Sequence, residues 1–245
     1  MTCKLSVNLN AVAYLRNRRD VPWPDVVKLG RIALEAGAAG LTIHPRPDER
    51  HIKRSDVPVL AALVKEYPGR EFNIEGYPDE GFMRLVEVHR PDQVTLVPDL
   101  PGQSTSDHGW DFKTQHNFLG TIIDRIKKGG MRAAVFIDPD VATPAKAKSV
   151  GADRIEIFTG PYGGATDSVM MQKEFARVVA TGQAATKVGL GLNAGHDLTR
   201  ANLPALVAAL PNLREVSIGH AIFADAFEFG LSETVRLFRV SIGDV

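Results

Sequence analysis

One pattern constrains this chain more than any other: short strand-like runs and helical segments alternate eight times from end to end. Strands are predicted over 4–9, 41–44, 72–75, 93–97, 132–137, 154–158, 187–192 and 215–218. Helices are predicted over 24–38, from Ser55 and Asp56 onward, then over 79–88, 118–128, 144–150, 168–181, 203–210 and 222–240. In the first helix Val26, Val27, Leu29, Ile32, Ala33 and Ala36 form a helical stripe, with Pro24 in its first turn and Gly37 at its end. Ser55 and Asp56 are candidate caps for the next, whose expected apolar face is Val59, Leu60, Leu63 and Val64. The strands read mostly as continuous apolar runs, as expected when both faces of a parallel strand are covered.

Eight such units in 245 residues suit an α/β chain closed as a (β/α)8 TIM barrel, a parallel eight-stranded barrel with outer helices. About 250 residues is usual for that fold. An open doubly wound sheet is the alternative. It usually has fewer strands and a GxGxxG turn after the first. Here the first strand runs into Asn8-Leu-Asn-Ala11, with no glycine. The chain contains no P-loop, HExxH or GxSxG motif. Its 22 glycines and 15 prolines are scattered, so residues 1–245 are expected to form one domain.

Charge narrows the partners. Lys plus Arg and Asp plus Glu number 29 each, and no long block carries one sign, so general nucleic-acid binding is not expected. Any anion site must be local. Cys3 is the one cysteine, which excludes an intramolecular disulfide and suits a reducing compartment. The first residues lack a signal peptide's apolar core, and no apolar run approaches the roughly 18 residues of a membrane span. A cytoplasmic protein without membrane contact is the expectation.

In a barrel of this kind, chemistry sits where strands end. The second strand empties into Gly40-Leu-Thr-Ile-His-Pro-Arg-Pro-Asp-Glu-Arg-His51, a loop stiffened by two prolines and carrying two imidazoles and two guanidiniums. That composition suits a phosphorylated small molecule, although a basic surface loop would look the same. The other strand ends add Asn8 and Asn10, two apart and so on one strand face, then Glu75, Asp138, His196 and His220. Glu156 stands in the middle of Arg154-Ile-Glu-Ile-Phe158 and faces inward if its isoleucine neighbours face the helices. It could equally be a structural ion pair, and Asp138 in Asp-Pro-Asp reads as a turn. Four of the seven histidines fall at these ends. Gly195 and Gly219 would let backbone N–H groups approach a second phosphate after the last two strands. A polar loop over 99–114, with Gly102, Gly109 and Ser104-Thr-Ser106, is longer than an ordinary connection and reads as a lid or binding loop. No lysine stands at a predicted strand end, since Lys4 and Lys187 are at strand starts, so a Schiff-base mechanism is not expected.

Taken jointly, Val7-Asn-Leu-Asn10, Leu15-Arg-Asn17, the 42–51 run, Phe72-Asn-Ile-Glu-Gly76, Val94-Thr-Leu-Val-Pro98, Phe136-Ile-Asp138, Arg154-Ile-Glu156, Leu192-Asn-Ala-Gly-His196 and Ile218-Gly-His220 resemble the pyridoxine 5′-phosphate synthase family over essentially the whole chain. The resemblance implies condensation of 1-deoxy-D-xylulose 5-phosphate with 3-amino-2-oxopropyl phosphate to pyridoxine 5′-phosphate, phosphate and water. It implies no cofactor, no metal, and a homo-octamer built as a tetramer of dimers. His44 and Glu75 match the family's proton acceptors, His196 its proton donor, and Glu156 a residue that stabilises a transition state. Asn8, Gly219, His220 and the residue after His196 match the aminoketone phosphate site. Arg46, His51 and Thr105 match the deoxyxylulose phosphate site, and Arg19 a basic position after the first strand. Arg50 is expected to be structural. Two departures stand out. Some members carry Asp-His where this chain has Asn10-Ala11, and glycine where it has Asp197.

Two other readings stay open on residue types alone. His44, Glu75, Glu156 and His196 could ligate a divalent ion in a sugar-phosphate isomerase or epimerase. A barrel that binds a phosphosugar without turning it over would present the same loops.

Overall fold

A computed structural model describes residues 2–99, 102–103 and 105–244, so Ser104 of the polar loop lies outside the described residues. In chain order the elements are β1 (Lys4–Asn8), α1 (Asn10–Arg16), α2 (Val26–Glu35), β2 (Gly40–Ile43), α3 (Asp56–Lys65), β3 (Glu71–Gly76), α4 (Glu80–His89) and β4 (Gln93–Leu96). Then follow α5 (Phe112–Lys128), β5 (Arg132–Ile137), α6 (Thr143–Ser149), β6 (Arg154–Phe158), α7 (Gly160–Gly163), α8 (Ser168–Lys187), β7 (Gly191–Gly195), α9 (Leu203–Ala209), β8 (Leu213–Ile218), α10 (His220–Phe229) and α11 (Leu231–Ser241). The eight strands are all parallel and close in chain order, β8 pairing with β1. Among the described residues no helix is long and apolar enough to cross a membrane.

β5 is a continuous apolar run from Ala133 to Ile137, but most of the other strands alternate. Leu5 and Val7, Leu41 and Ile43, Phe72 and Ile74, Val94 and Leu96, Ile155 and Ile157 are buried in the core cluster shared with the helices. Each such side chain contributes about 1.5–3 kcal/mol when fully buried. Their strand neighbours Ser6, Thr42, Asn73, Gln93, Thr95, Asn193 and Glu215 form a buried polar set, in which the register pairs Thr42 with Asn73, Asn73 with Gln93, and Asn193 with Glu215. Polar groups enter such a space only when partnered. Ser6 and Thr42 hydroxyls lie 2.7 Å apart, Thr95 Oγ1 donates to Asn73 Oδ1 at 3.0 Å, and Asn193 Nδ2 donates to Gln93 Oε1 at 3.3 Å. Where the barrel interior is polar, a strand needs its apolar residues on one face only. That is the physical reason for period two.

Several boundaries depart from expectation. Helix α8 continues to Lys187 and β7 begins only at Gly191, so Lys187 ends a helix and Asn193 is a strand residue. Helix α5 starts at Phe112, because Asp111 caps it by accepting from Lys113 N, which shortens the polar loop. The last predicted helix is two, divided at Gly230 with φ +75°. Helix α2 begins after Pro24, with Asp25 as its cap. Ser55 makes no side-chain cap bond, Asp56 is bound by Arg16, and Val59 is exposed. Residues 10–16 and 160–163 are helical, so Asn10 opens α1 and does not share a strand face with Asn8.

Candidate active site

The C-terminal ends of the strands open into a cavity of about 1210 Å³, more than the usual 300–1,000 Å³ of a site for one small molecule. Asn8, Asn10, His44, Arg46, His51, Glu75, Thr105, Glu156, His196, Asp197, Gly219 and His220 all line it. Arg19 does not. It is exposed in the turn after α1, outside the lining.

One half of the mouth is cationic. Helix α1 and the loop after β2 are clamped together: Arg16 grips Asp56 at 2.7 and 2.9 Å and donates to His51 O, and Asn17 Nδ2 donates to the carbonyls of Glu49 and His51. Asn10 Oδ1 accepts from His44 N at 2.9 Å, which fixes the end of β2. Within this frame Arg46 is buried, with Nη1 donating to Gln103 O at 2.9 Å and Nη2 to Asp99 Oδ2. Asp99 also accepts from Ser106 Oγ at 2.9 Å. Its Oδ1 is buried with no hydrogen-bond partner among the described residues. Burial pushes the Asp99 carboxyl upward, against the pull of Arg46 and Ser106. His44 Nε2 lies 3.6 Å from the same carboxylate. Burial holds His44 well below the ordinary imidazole range, and Arg46, His51 and Arg50 push the same way. Burial brings His51 down to about 4, with Arg46 and Arg50 adding to it. His51 Nδ1 accepts from Ile52 N at 2.9 Å, so its neutral ring carries the proton on Nε2.

The floor holds two carboxyls. Glu75 at the end of β3 and Glu156 on β6 are both buried, and Val97, Phe136 and Phe158 form a small apolar cluster on the same inner face. Burial, then Asp99 and Glu215, push the Glu75 carboxyl up to about 8, although Asn8 Nδ2 donates to its Oε2 at 3.4 Å. Burial drives Glu156 well above the usual carboxylate range, with Glu75 and Glu215 adding, and its Oε2 has no partner among the described residues. Desolvation disfavours the charged form of both. Two buried carboxyls raised above the ordinary carboxylate range in a cavity can exchange protons with a bound molecule. Gly195 makes room for this arrangement, since a Cβ there would lie 2.2 Å from Glu156 Oε1.

The opposite half is built by the loops after β7 and β8. His196 Nε2 lies 2.8 Å from Thr105 Oγ1 and its Nδ1 3.0 Å from Asp197 Oδ2, while Phe158 meets its ring edge-on at 5.2 Å. Next to it α10 begins at His220 behind Gly219, with no side chain capping it. Its first N–H groups remain available to an anion. A Cβ on Gly219 would come within 2.9 Å of Asn8 O, so glycine lets β8 close against β1 here.

Asp99 and Ser106 were not foreseen as site residues. Neither has a motif around it, and only the folded loop brings both to Arg46. Arg50, expected to be structural, pairs with Asp48 and donates to Gln103 O at 2.7 Å, and it also lines the cavity. Among the described residues no group of three or more His, Cys, Asp or Glu side chains is arranged to hold a metal ion.

Comparison with known proteins bears on this geometry. A family model described as "Pyridoxal phosphate biosynthesis protein PdxJ" matches residues 5–244. The pyridoxine 5′-phosphate synthase of Chelativorans sp. (strain BNC1) is 60% identical over 242 residues, covering 97% of this chain and 98% of that one. The protein of the same name from Allorhizobium ampelinum is 57% identical over 249 residues, covering 100% of both. Among solved structures, thiamine phosphate pyrophosphorylase from Pyrococcus furiosus superposes with a TM-score of 0.62 at 15% identity, over 98% of this chain and 96% of that one. Phosphoribosylanthranilate isomerase from Thermotoga maritima gives 0.57 at 12% identity, over 99% and 100%. These last two share the fold alone.

Proposed function

The chain belongs to the pyridoxal phosphate biosynthesis protein PdxJ family, and from that premise we propose that its cavity joins two phosphorylated ketones by acid–base chemistry. It is an enzyme of vitamin B6 biosynthesis, and its product is pyridoxine 5′-phosphate. The substrates in this reading are 1-deoxy-D-xylulose 5-phosphate and 3-amino-2-oxopropyl phosphate, and phosphate and water are released. The observation that carries the reading is the pair of buried carboxyls, Glu75 and Glu156, on the floor of one cavity whose two sides both suit anions.

The roles follow from residue chemistry. Arg46, His51 and Thr105 hold the pentulose phosphate. Asn8, the Asp197 backbone, Gly219 and His220 hold the aminoketone phosphate, with Arg19 brought in if the loop after α1 moves. Asn10, the first residue of α1, contacts substrate beside His44. The amine attacks the pentulose carbonyl, and His196 protonates the oxygen that leaves as water. Glu75 then takes a carbon-bound proton, giving the enamine from which phosphate is eliminated. A carboxylate desolvated to about 8 is a stronger base than one in water. His44, held neutral, accepts a proton during ring closure, in which the aminoketone carbonyl oxygen leaves as a second water, and Glu156 steadies charge at the floor. No step needs a redox cofactor or a metal.

One domain spanning 1–245, working in the cytoplasm as a homo-octamer, completes the proposal. Exposed Tyr14, Leu15 and Phe227 at the cavity mouth support self-association. Sedimentation velocity tests the assembly. The reaction is tested by mixing the protein with both substrates: fluorescent pyridoxine 5′-phosphate should appear together with inorganic phosphate. Turnover abolished by a chelator would point instead to the metal-dependent isomerase class.

A further inference from the structure

Asp197 sits where its backbone favours a different residue. Its φ is +56°, in the left-handed region where glycine is at ease and other residues are strained, and His196 before it has φ +86°. The surroundings hold this turn without the Asp197 side chain. Thr159 Oγ1 lies 2.6 Å from the carbonyl oxygens of both Gly195 and His196, which share its one proton. Asn202 Nδ2 donates to Asp197 O at 3.4 Å and Asn202 Oδ1 accepts from Thr199 N at 2.8 Å. Gly163 packs so tightly on the turn that a Cβ there would lie 2.1 Å from Asp197 O. The carboxylate caps no helix. Its hydrogen-bond partner is the His196 ring, Nδ1 to Oδ2 at 3.0 Å.

We infer that Asp197 is a positioning residue for His196, holding the proton on Nδ1 so that Nε2 is the nitrogen presented to substrate. The inference rests on the acid role of His196 proposed above. A carboxylate accepts only, so the Nδ1 side of the bond must be N–H. In the neutral ring Nε2 is then bare and accepts from Thr105 Oγ1 at 2.8 Å. In the imidazolium the second proton is on Nε2, which faces Thr105 of the polar loop after β4. When that proton passes to the departing oxygen, His196 returns to the Nδ1–H form without turning its ring. The groups around the imidazole are Asp197 on its own loop, Thr105, the Phe158 ring edge and, toward Asp197, His220 of α10. The His196 interaction is the leading cause that holds the Asp197 carboxyl below its usual range. A carboxylate is also a poor direct ligand for phosphate, so the Asp197 side chain serves the acid and leaves the anion to backbone N–H groups.

The test uses Asp197→Gly and Asp197→Asn in the full-length enzyme with both substrates. Glycine suits the backbone, so Asp197→Gly should keep the parent's Tm. Its kcat should fall about ten-fold with both KM values unchanged, in line with the loss of a histidine-orienting partner. Asp197→Asn can turn its amide N–H toward Nδ1 and favour the wrong tautomer, so its kcat should be no better than that of Asp197→Gly. Parent-like kcat in either variant overturns the inference, and so does a raised KM for 3-amino-2-oxopropyl phosphate at unchanged kcat. Ring ¹⁵N shifts of histidine-labelled protein, assigned with His196→Asn, read the tautomer without turnover. A protonated Nδ1 in the parent that is lost in Asp197→Gly supports the inference, and the same pattern in both overturns it. A parent that turns over neither substrate counts against the proposed reaction, while the ring shifts still decide the role of Asp197.

Discussion

Arg46 donates to Asp99, so the guanidinium proposed to receive a phosphate is already held by the protein's own carboxylate. Both side chains are buried, and Asp99 Oδ1 is left without a partner among the described residues. An arriving phosphate therefore competes with an internal anion. Asp99→Asn should weaken that competitor. Removing one charge of a buried pair costs on the order of 3–5 kcal/mol at most, less here because the amide still accepts a bond. The expected outcome in thermal melts is a lower Tm than the parent without ligand, and a larger rise in Tm on adding inorganic phosphate. Equal rises in the two proteins would mean that Asp99 does not guard Arg46.

Glu75 gives a pH signature in stability. Its carboxyl titrates near 8 in the folded protein, against an ordinary value of 4.5. Between these values the folded chain keeps a proton that the unfolded chain has lost, so stability falls as pH rises. His44 and His51 are held below the ordinary 6.5 and act oppositely, but only below that pH. The window from 6.5 to 8 therefore reports the carboxyls. Denaturant unfolding at its two ends should show the parent losing stability, with a slope of at most about 1.4 kcal/mol per pH unit for each proton held. Glu75→Gln should show a smaller loss, the remainder coming from the other carboxyls that burial raises, Glu156, Glu215 and Asp99. A Glu75→Gln slope equal to the parent's would contradict the raised Glu75.

Gly195→Ala tests the packing that seats Glu156. The added methyl would meet Glu156 Oε1 at 2.2 Å, and the carboxyl is buried among its neighbours. Overpacking of this kind costs about 1–3 kcal/mol. Tm should fall by several degrees at roughly 2–4 °C per kcal/mol for a chain of this size, and kcat should fall with it. An unchanged Tm with full activity would show that Glu156 is free to move aside.

Much of this was legible in the sequence, because strand ends advertise themselves. Ile43 followed by His44 and Arg46, or Ile218 followed by Gly219 and His220, marks the same rim in each unit. Other features needed the folded chain. Asp99 lies after Pro98 in a loop, and nothing local distinguishes it from a solvated aspartate; its partner is 53 positions away. Lys187-Val-Gly-Leu-Gly-Leu192 has strand-like composition, yet α8 carries on to Lys187 and β7 begins only at Gly191. The polar lining of the barrel was present as Ser6, Thr42, Asn73 and Thr95 at every second position. Short runs between glycines and prolines read as wholly apolar unless each polar residue is counted.

The central claim is that proton transfer by Glu75 and His196 inside one two-phosphate cavity makes the product. It is tested most directly by kcat for pyridoxine 5′-phosphate formation in Glu75→Gln and His196→Asn beside the parent, at saturating concentrations of both substrates. Each substitution keeps shape and removes the proton function, so kcat should fall by about 10²–10⁴-fold, the range for loss of a general acid or base. Near-parent kcat in both variants, with the parent active, would contradict the account.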